Sequence, residues 1–473
     1  MRTPCFVAVA MLLSACASAP QPMPTRMAAP AAWSVPAAST TQVTPAEESE
    51  EENVTWWTDL GDRQLDAWVQ QAWRDSAEVP VLVARLELAR AAGAIADADR
   101  RPRLDIGAAA TRERVPRSVL RDGQGSEAVV PPFRQSRWGA QIEGRYEVDL
   151  LGRLALGQRT AVAGVAASQA DLLGLRRWLT SEVVQAYAEL RRAEHDAAAA
   201  LAQQALLAQI QQAERERLAA GQIAREPLRQ AERQLADKRE EQIEFEQKRQ
   251  FALVRLAQLL GRAPAELLIG RSPEWLPQRS LSGALEPGLP AAVITRRADV
   301  EAAWQRVQAA AATAERTRLE RYPTLTLTGN AGFASTALRR WLQGDALAWL
   351  AQAALQAPLL DGGRQIGRTR EATAAMQEAY ALYRKQVLQA LSESETALAA
   401  LQFADERVSV AHAELARRQD DLASTQAARA AGAASRPVVL LSELARMQAS
   451  TALQKRRHEL LLAWAEAQRA FGR

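Results

Sequence analysis

The stretch from Leu289 to Phe333 changes its period half-way, and that change restricts the fold more than any other feature of the chain. Before Tyr322-Pro323, Ala302, Val307, Ala310 and Ala314 recur at near-helical spacing behind a start capped by Arg296-Arg297-Ala298-Asp299. After Pro323 the period is 2. Leu325, Leu327, Gly329, Ala331 and Phe333 fall on one side, and Thr324, Thr326, Thr328 and Asn330 on the other. An alanine-rich helix that hands over to a two-faced strand means that a mostly helical chain must also build a sheet.

Three more strands are expected. Pro102 opens one at 103–111. A second runs over 138–150, with Trp138, Ala140, Ile142, Gly144, Tyr146, Val148 and Leu150 opposite Gln141, Glu143, Arg145, Glu147 and Asp149. A polar loop with Gly123, Gly125, Pro131 and Pro132 joins these two. In the other half, strand 323–333 is followed by a return over 346–359 whose faces are both rather apolar. Each strand is long enough to cross a bilayer obliquely. Four cannot close a barrel, and lipid does not tolerate open edges, so closure needs several copies. Three copies give twelve strands, an even number within the range of outer-membrane barrels. Ile142, Tyr146, Val148, Leu325 and Leu327 are then the lipid-facing candidates. Trp138, Trp341 and Trp349 near the strand ends suit an interfacial girdle, although ordinary packing would also account for them.

The remainder reads as helix. Aromatic residues make up 5 % and charged residues 24 %. Alanine dominates the apolar fraction, which suits long, closely packed helices. Leu172, Leu175, Leu179, Val183, Ala186 and Leu190 form a coiled-coil seam, and Tyr380, Tyr383, Val387 and Leu391 repeat it. The proline-free run from Arg153 to Ala220 gives a helix about 100 Å long. Runs such as Ala197 to Ala200 and Ala309 to Ala312 let neighbouring helices approach closely. Gly221 precedes Gly261-Arg262 as Gly432 precedes Gly472-Arg473, and Pro227 and Pro437 follow the first glycine of each set. Each set reads as a helical hairpin. The chain therefore divides into two repeats, 55–288 and 289–473, with hairpin tips near 221–227 and 432–437.

Residues 1–15 have the pattern of a secretion signal: Arg2, then a short apolar run from Phe6 to Leu13. Leu13-Ser14-Ala15-Cys16 resembles a bacterial lipobox, which would leave an acylated Cys16 as the first mature residue. The alternative is an ordinary signal with a chance cysteine. Ala17 after Cys16, in place of aspartate, points to the outer membrane. Residues 16–54, rich in Pro, Ala, Ser and Thr and ending in Glu50-Glu51-Glu52, read as a disordered tether.

Net charge is +4, and the arginines are interleaved with acids. That is a solvated helical surface and not a nucleic-acid patch. His195, His412 and His458 each stand alone on a helical stretch, and no cluster has metal-ligand spacing. There is no phosphate loop, and Gly362-Gly363 reads as a turn. Glu393 and Glu395 read as solvated helix surface. No enzyme, cofactor or metal site is expected.

Several of these segments resemble the TolC/OprM-type outer-membrane efflux lipoproteins of the RND, NodT-like branch. Leu289-Pro290 with Arg296-Arg297 and Asp299 is similar to that family's L-P-x(5)-R-R-P-D signature, with Ala298 in place of the proline. Trp57-Thr58-Asp59-Leu60-Gly61-Asp62, Leu150-Leu151-Gly152-Arg153 and Pro358 to Arg364 resemble further family turns in the family's order. The resemblance implies a mainly α fold with a membrane β-barrel: a trimeric, twelve-stranded outer-membrane barrel continuous with a periplasmic α-helical barrel. It implies a passive exit duct of a tripartite pump for drugs or other small toxic compounds in a Gram-negative cell. Its partners would be two further copies, outer-membrane lipid, a periplasmic membrane-fusion adaptor and an inner-membrane transporter of RND type. Gly221, Arg225, Glu226, Gly432 and Arg436 would lie at the adaptor-facing mouth. Family members carry acids after the second tip; here Arg436 is the only charge, so the mouth is expected to be arginine-lined unless Arg436 faces outward. A protein-secretion duct and a pore-less coiled-coil lipoprotein are the alternatives, and the alternation over 138–150 speaks against the second.

Overall fold

The computed structural model describes residues 23–34, 55–116, 118–121, 127–267, 270–272, 289–337, 339 and 343–473. The expected signal, Cys16, Gly123, Gly125 and Trp341 lie outside them. A 3-10 turn, Trp56–Leu60, precedes α1 (Arg63–Asp75) and α2 (Glu78–Ala98). Strands β1 (Arg103–Val115), β2 (Ser118–Arg121), β3 (Glu127–Val130) and β4 (Phe133–Val148) follow, then helices α3 (Arg153–Ala219) and α4 (Glu226–Leu259). The second half runs α5 (Pro290–Arg296), α6 (Ala298–Leu319), β5 (Thr324–Ser335), β6 (Leu347–Gln356), α7 (Arg364–Ala430) and α8 (Arg436–Ala470). Helices α3 and α7 are both 67 residues long, about 100 Å each at 1.5 Å per residue. Among the described residues no helix is long and apolar enough to cross a membrane.

The chain divides into two compact units. The first, residues 1–25, 87–166 and 304–381, holds an antiparallel sheet in the order β1-β4-β5-β6. All four expected strands form, three of them starting within one residue of the expected position, whereas β4 starts five residues before the expected 138 and every strand ends elsewhere than expected. Strand β4 starts at Phe133 and stops at Val148, because Asp149 turns to the next helix: its carboxylate accepts the N–H groups of Leu154 (3.0 Å) and Ala155 (2.9 Å). Asp361 does the same ahead of α7, taking the Gly363 and Gln365 N–H groups at 3.0 and 2.8 Å, and β6 has already ended at Gln356. The segment expected as a polar loop contains a hairpin, β2 paired with β3, whose Val119 and Val129 face each other in register. Pro323 lacks an N–H, and it separates α6 from β5.

The second unit, residues 26–86, 167–303 and 382–473, carries the large core. In α3 the expected seam is buried from Leu179 through Val183 and Ala186 to Leu190. The scarce aromatic residues gather here. Trp56 stands edge-on to Trp464 at 5.1 Å, Trp57 to Trp73 at 5.2 Å, and Trp68 to Tyr187 at 5.2 Å. This cluster fills the space around α1, so alanine alone does not have to supply the core. Hydrogen bonds join α4 to α3 (Arg249 to Glu194, 3.0 Å), α3 to α8 (Gln203 to Thr451, 3.3 Å) and α7 to α8 (Ser394 to the Ala470 carbonyl, 3.1 Å). Helices α4 and α7 are thus the flanks of a helical layer.

Candidate functional site: a two-faced sheet and the hairpin tips

Register makes the sheet two-faced. Ile142 is flanked by Ile106 and Ala331, Tyr146 by Leu327, and Val148 by Leu325. Leu327 and Leu325 in turn face Ala353 and Leu355 of β6. One side is therefore an apolar band of matched rows from Val148 to Trp138. Its side chains are open: Ile106 is 83 % exposed, Ile142 53 % and Trp349 75 %. Ten residues of rise span about 34 Å along a strand, or about 26 Å along the normal at a tilt of about 40°, close to the apolar band of an outer-membrane barrel. The other face carries Arg103, Asp105, Gln141, Glu143, Arg145, Thr326, Thr328, Asn330 and Gln352 in matched rows. Among the described residues β1 and β6 each pair on one side alone.

The hairpins turn on glycines in the left-handed region. Gly221 (φ 69°) and Gly432 (φ 76°) close the same motif. The N–H of Gln222 reaches the Arg217 carbonyl (2.9 Å) and that of Ala433 the Ala428 carbonyl (2.8 Å), while each glycine N–H bonds three residues back. Gly261 and Gly472 repeat the motif at the far ends of the hairpins, but in crowded space. A Cβ on Gly261 would lie 2.0 Å from the Asp75 carbonyl, and one on Gly472 3.2 Å from Arg297 Cγ. Gly152/Gly363, Gly221/Gly432 and Gly261/Gly472 are three left-handed pairs with one common spacing in sequence.

At the tips, Leu206, Leu207 and Ile210 of α3 pack with Ala231 and Leu235 of α4 and Leu440 and Leu444 of α8. That cluster brings Arg225 and Glu226, at the start of α4, to the same end as Arg436, the first residue of α8. All three are exposed. Glu226 pairs with Arg233 at 2.7 Å.

Two expectations are corrected. Glu393 and Glu395 are not simply solvated. Glu393 binds the buried Arg297 guanidinium at 2.7 Å, and Glu395 accepts the Ser34 N–H and hydroxyl at 2.7 and 2.6 Å. Arg297 also donates to Asp299 (2.6 Å) and to the Ala470 carbonyl (3.1 Å). Burial alone would raise the Asp299 pKa, but the Arg297 hydrogen bonds and charge hold it below the usual carboxylate range. The expected helix cap is thus a clamp between the start of α6, the middle of α7 and the end of α8. Nor do the histidines all stand alone. His458 on α8 is 2 % exposed. Burial, reinforced by the Arg192 charge, pushes it down to about 4, and Asp196, Glu459 and His195 also act on it. His412 is exposed. Among the described residues no group of His, Cys, Asp and Glu could hold a metal.

The match to the outer membrane efflux protein model covers residues 68–262 and 289–473. The chain belongs to the outer membrane efflux protein family. The efflux chain is 27 % identical over 479 residues to the pyoverdine export outer membrane protein OpmQ of Pseudomonas aeruginosa, covering 96 % of each. It is 30 % identical to outer membrane protein OprJ of the same organism, covering 85 % of this chain and 81 % of OprJ. The solved outer-membrane channel OprN superposes with a TM-score of 0.79 at 26 % identity over 95 % of this chain and 98 % of OprN. This efflux protein is an outer-membrane exit duct, and its exposed apolar sheet face is the surface that such a location requires.

Proposed function

We propose that three copies of this protein close a twelve-stranded barrel, β6 of each pairing with β1 of the next, and that the helices continue as a periplasmic tunnel. The observation that carries the reading is the matched apolar band on a sheet with two open edges, which neither water nor lipid accommodates in one copy. Exposed apolar side chains on the flanking helices support the same closure: Ile243 and Phe251 on α4, Phe403 and Val410 on α7. Cys16 carries the acyl anchor. Each chain comprises two repeats, 55–288 and 289–473. Ile142, Tyr146, Val148, Leu325 and Leu327 face lipid. Gly221, Arg225, Glu226, Gly432 and Arg436 form the periplasmic mouth, which meets a membrane-fusion adaptor joined to an inner-membrane transporter of RND type. The cargo is drugs or other small toxic compounds; a pump partner must supply the energy, since the sequence contains no phosphate loop. Deleting the gene should sensitise cells to dyes and amphiphilic antibiotics, and a plasmid copy should restore export. Unchanged sensitivity together with loss of a secreted polypeptide would replace this reading with a protein-secretion duct.

A further inference from the structure

Resting on the exit-duct reading, we infer that the hairpin tips dock a partner whose own tip is acidic around an apolar centre.

The charge count at the tips is one-sided. From Leu218 to Gln230 the charged residues are Arg225, Glu226 and Arg229, and from Leu422 to Ser442 they are Arg429 and Arg436. Glu226, the one acid, is already taken by Arg233. The four arginines are exposed and have no ion pair among the described residues. Arg225 and Arg436 stand at the starts of α4 and α8, where the helix dipole is positive and a cation is least favoured. Among the described residues no carboxylate offsets that placement, and an opposing negative surface would supply one.

The apolar part of the surface favours a protein over a passing solute. Leu440 and Leu444 pack into the tip's own cluster, and Pro437 is buried. Val438 and Leu441, one turn apart on α8, remain open at 43 % and 45 % exposure. Apolar side chains rimmed by unpaired arginines have the composition of a protein interface. Charge complementarity then selects carboxylates on the partner.

The test uses the full-length protein, assembled in nanodiscs, and three designed helical hairpins of one backbone, with glutamates, glutamines or lysines at the tip beside leucines. At low salt the glutamate-tipped hairpin should bind about tenfold or more tighter than the lysine-tipped one. In the double variant Arg225→Glu/Arg436→Glu the order should reverse. Val438→Ser/Leu441→Ser should weaken all three hairpins alike and leave the order unchanged. Equal binding of the three, or an order that survives the double variant, overturns the inference. Equal binding with an ion selectivity that inverts in the double variant assigns the arginines to passing anions, and also overturns it. Dissociation of the assembly by Val438→Ser/Leu441→Ser would show a second copy covering those residues, again overturning it. Conductance of the wild-type protein in planar bilayers is recorded alongside. Its absence would sink the duct reading itself, whereas intact conductance with unselective hairpins sinks only the acidic partner.

Discussion

Ile142→Arg and Gln141→Arg place the same charge at adjacent residues of β4 on opposite faces. Ile142 lies within the apolar band, six residues from Val148 and four from Trp138, between Ile106 and Ala331. In a barrel it sits near mid-bilayer, where an arginine costs about 2–4 kcal/mol. The lost aliphatic contact with lipid adds about 2 kcal/mol. Each copy therefore loses about 4–6 kcal/mol, repeated in every copy of the assembly. Gln141 faces the polar side beside Gly107 and Gly332, so arginine there stays in water and costs under about 1 kcal/mol. Leu327→Arg, in the Tyr146 row nearer the band's edge, should fall between the two. The assay is folding into lipid vesicles at graded urea, with the assembled fraction read by gel mobility without boiling. Near-equal urea midpoints for Ile142→Arg and Gln141→Arg would refute the assignment of faces.

Three further outcomes follow from the second unit. Arg297→Met removes the guanidinium shared by the Ala470 carbonyl, Asp299 and Glu393, and leaves them only the neutral donors Ser394, Gln386 and Gln389 with the Val300 N–H. It should destabilise by about 2–3 kcal/mol, a discounted value because Asp299 and Glu393 are partly exposed; Arg297→Lys should recover less than half, as seen in detergent melting curves. His458 is held near 4, below its ordinary 6.5, so the unfolded chain takes up the proton first as pH falls. Stability is then full above about 6.5 and declines by about 2–3 kcal/mol towards pH 4.5, and His458→Gln should remove that portion of the pH dependence of urea midpoints. Gly221→Ala meets open space and should cost about 1 kcal/mol for its left-handed backbone, whereas Gly261→Ala also strikes the Asp75 carbonyl and should cost about 3 kcal/mol or more; equal melting temperatures would contradict the packing described at Asp75.

What could be read from the chain was whatever one segment decides for itself. The alternation from Trp138 to Val148 is a local pattern, and so are the Gly221 and Gly432 turns, each of which closes on carbonyls less than two turns back. Alternation alone does not mark a strand end set by a side chain that bonds the next element, as Asp149 does in leaving β4 to hold the start of α3. Contacts between distant segments left no such trace. Arg297 meets Glu393 and Ala470, which are 96 and 173 residues away. Neither carboxylate nor carbonyl alters the local period, so Glu393 looked like any solvated acid on a helix. His458 likewise sits in a helical pattern that tolerates many residues, and its burial depends on α3 packing over it. The hairpin β2-β3 is four residues a side, too short for alternation to stand out from a polar loop.

Electron microscopy of the native particle in detergent or nanodiscs is the most direct test of the central claim. The account predicts a three-fold particle, hollow along its axis, with twelve strands around the wall at one end and long helices lining the remainder. A monomer, or a rod of helices with no lumen, would contradict it.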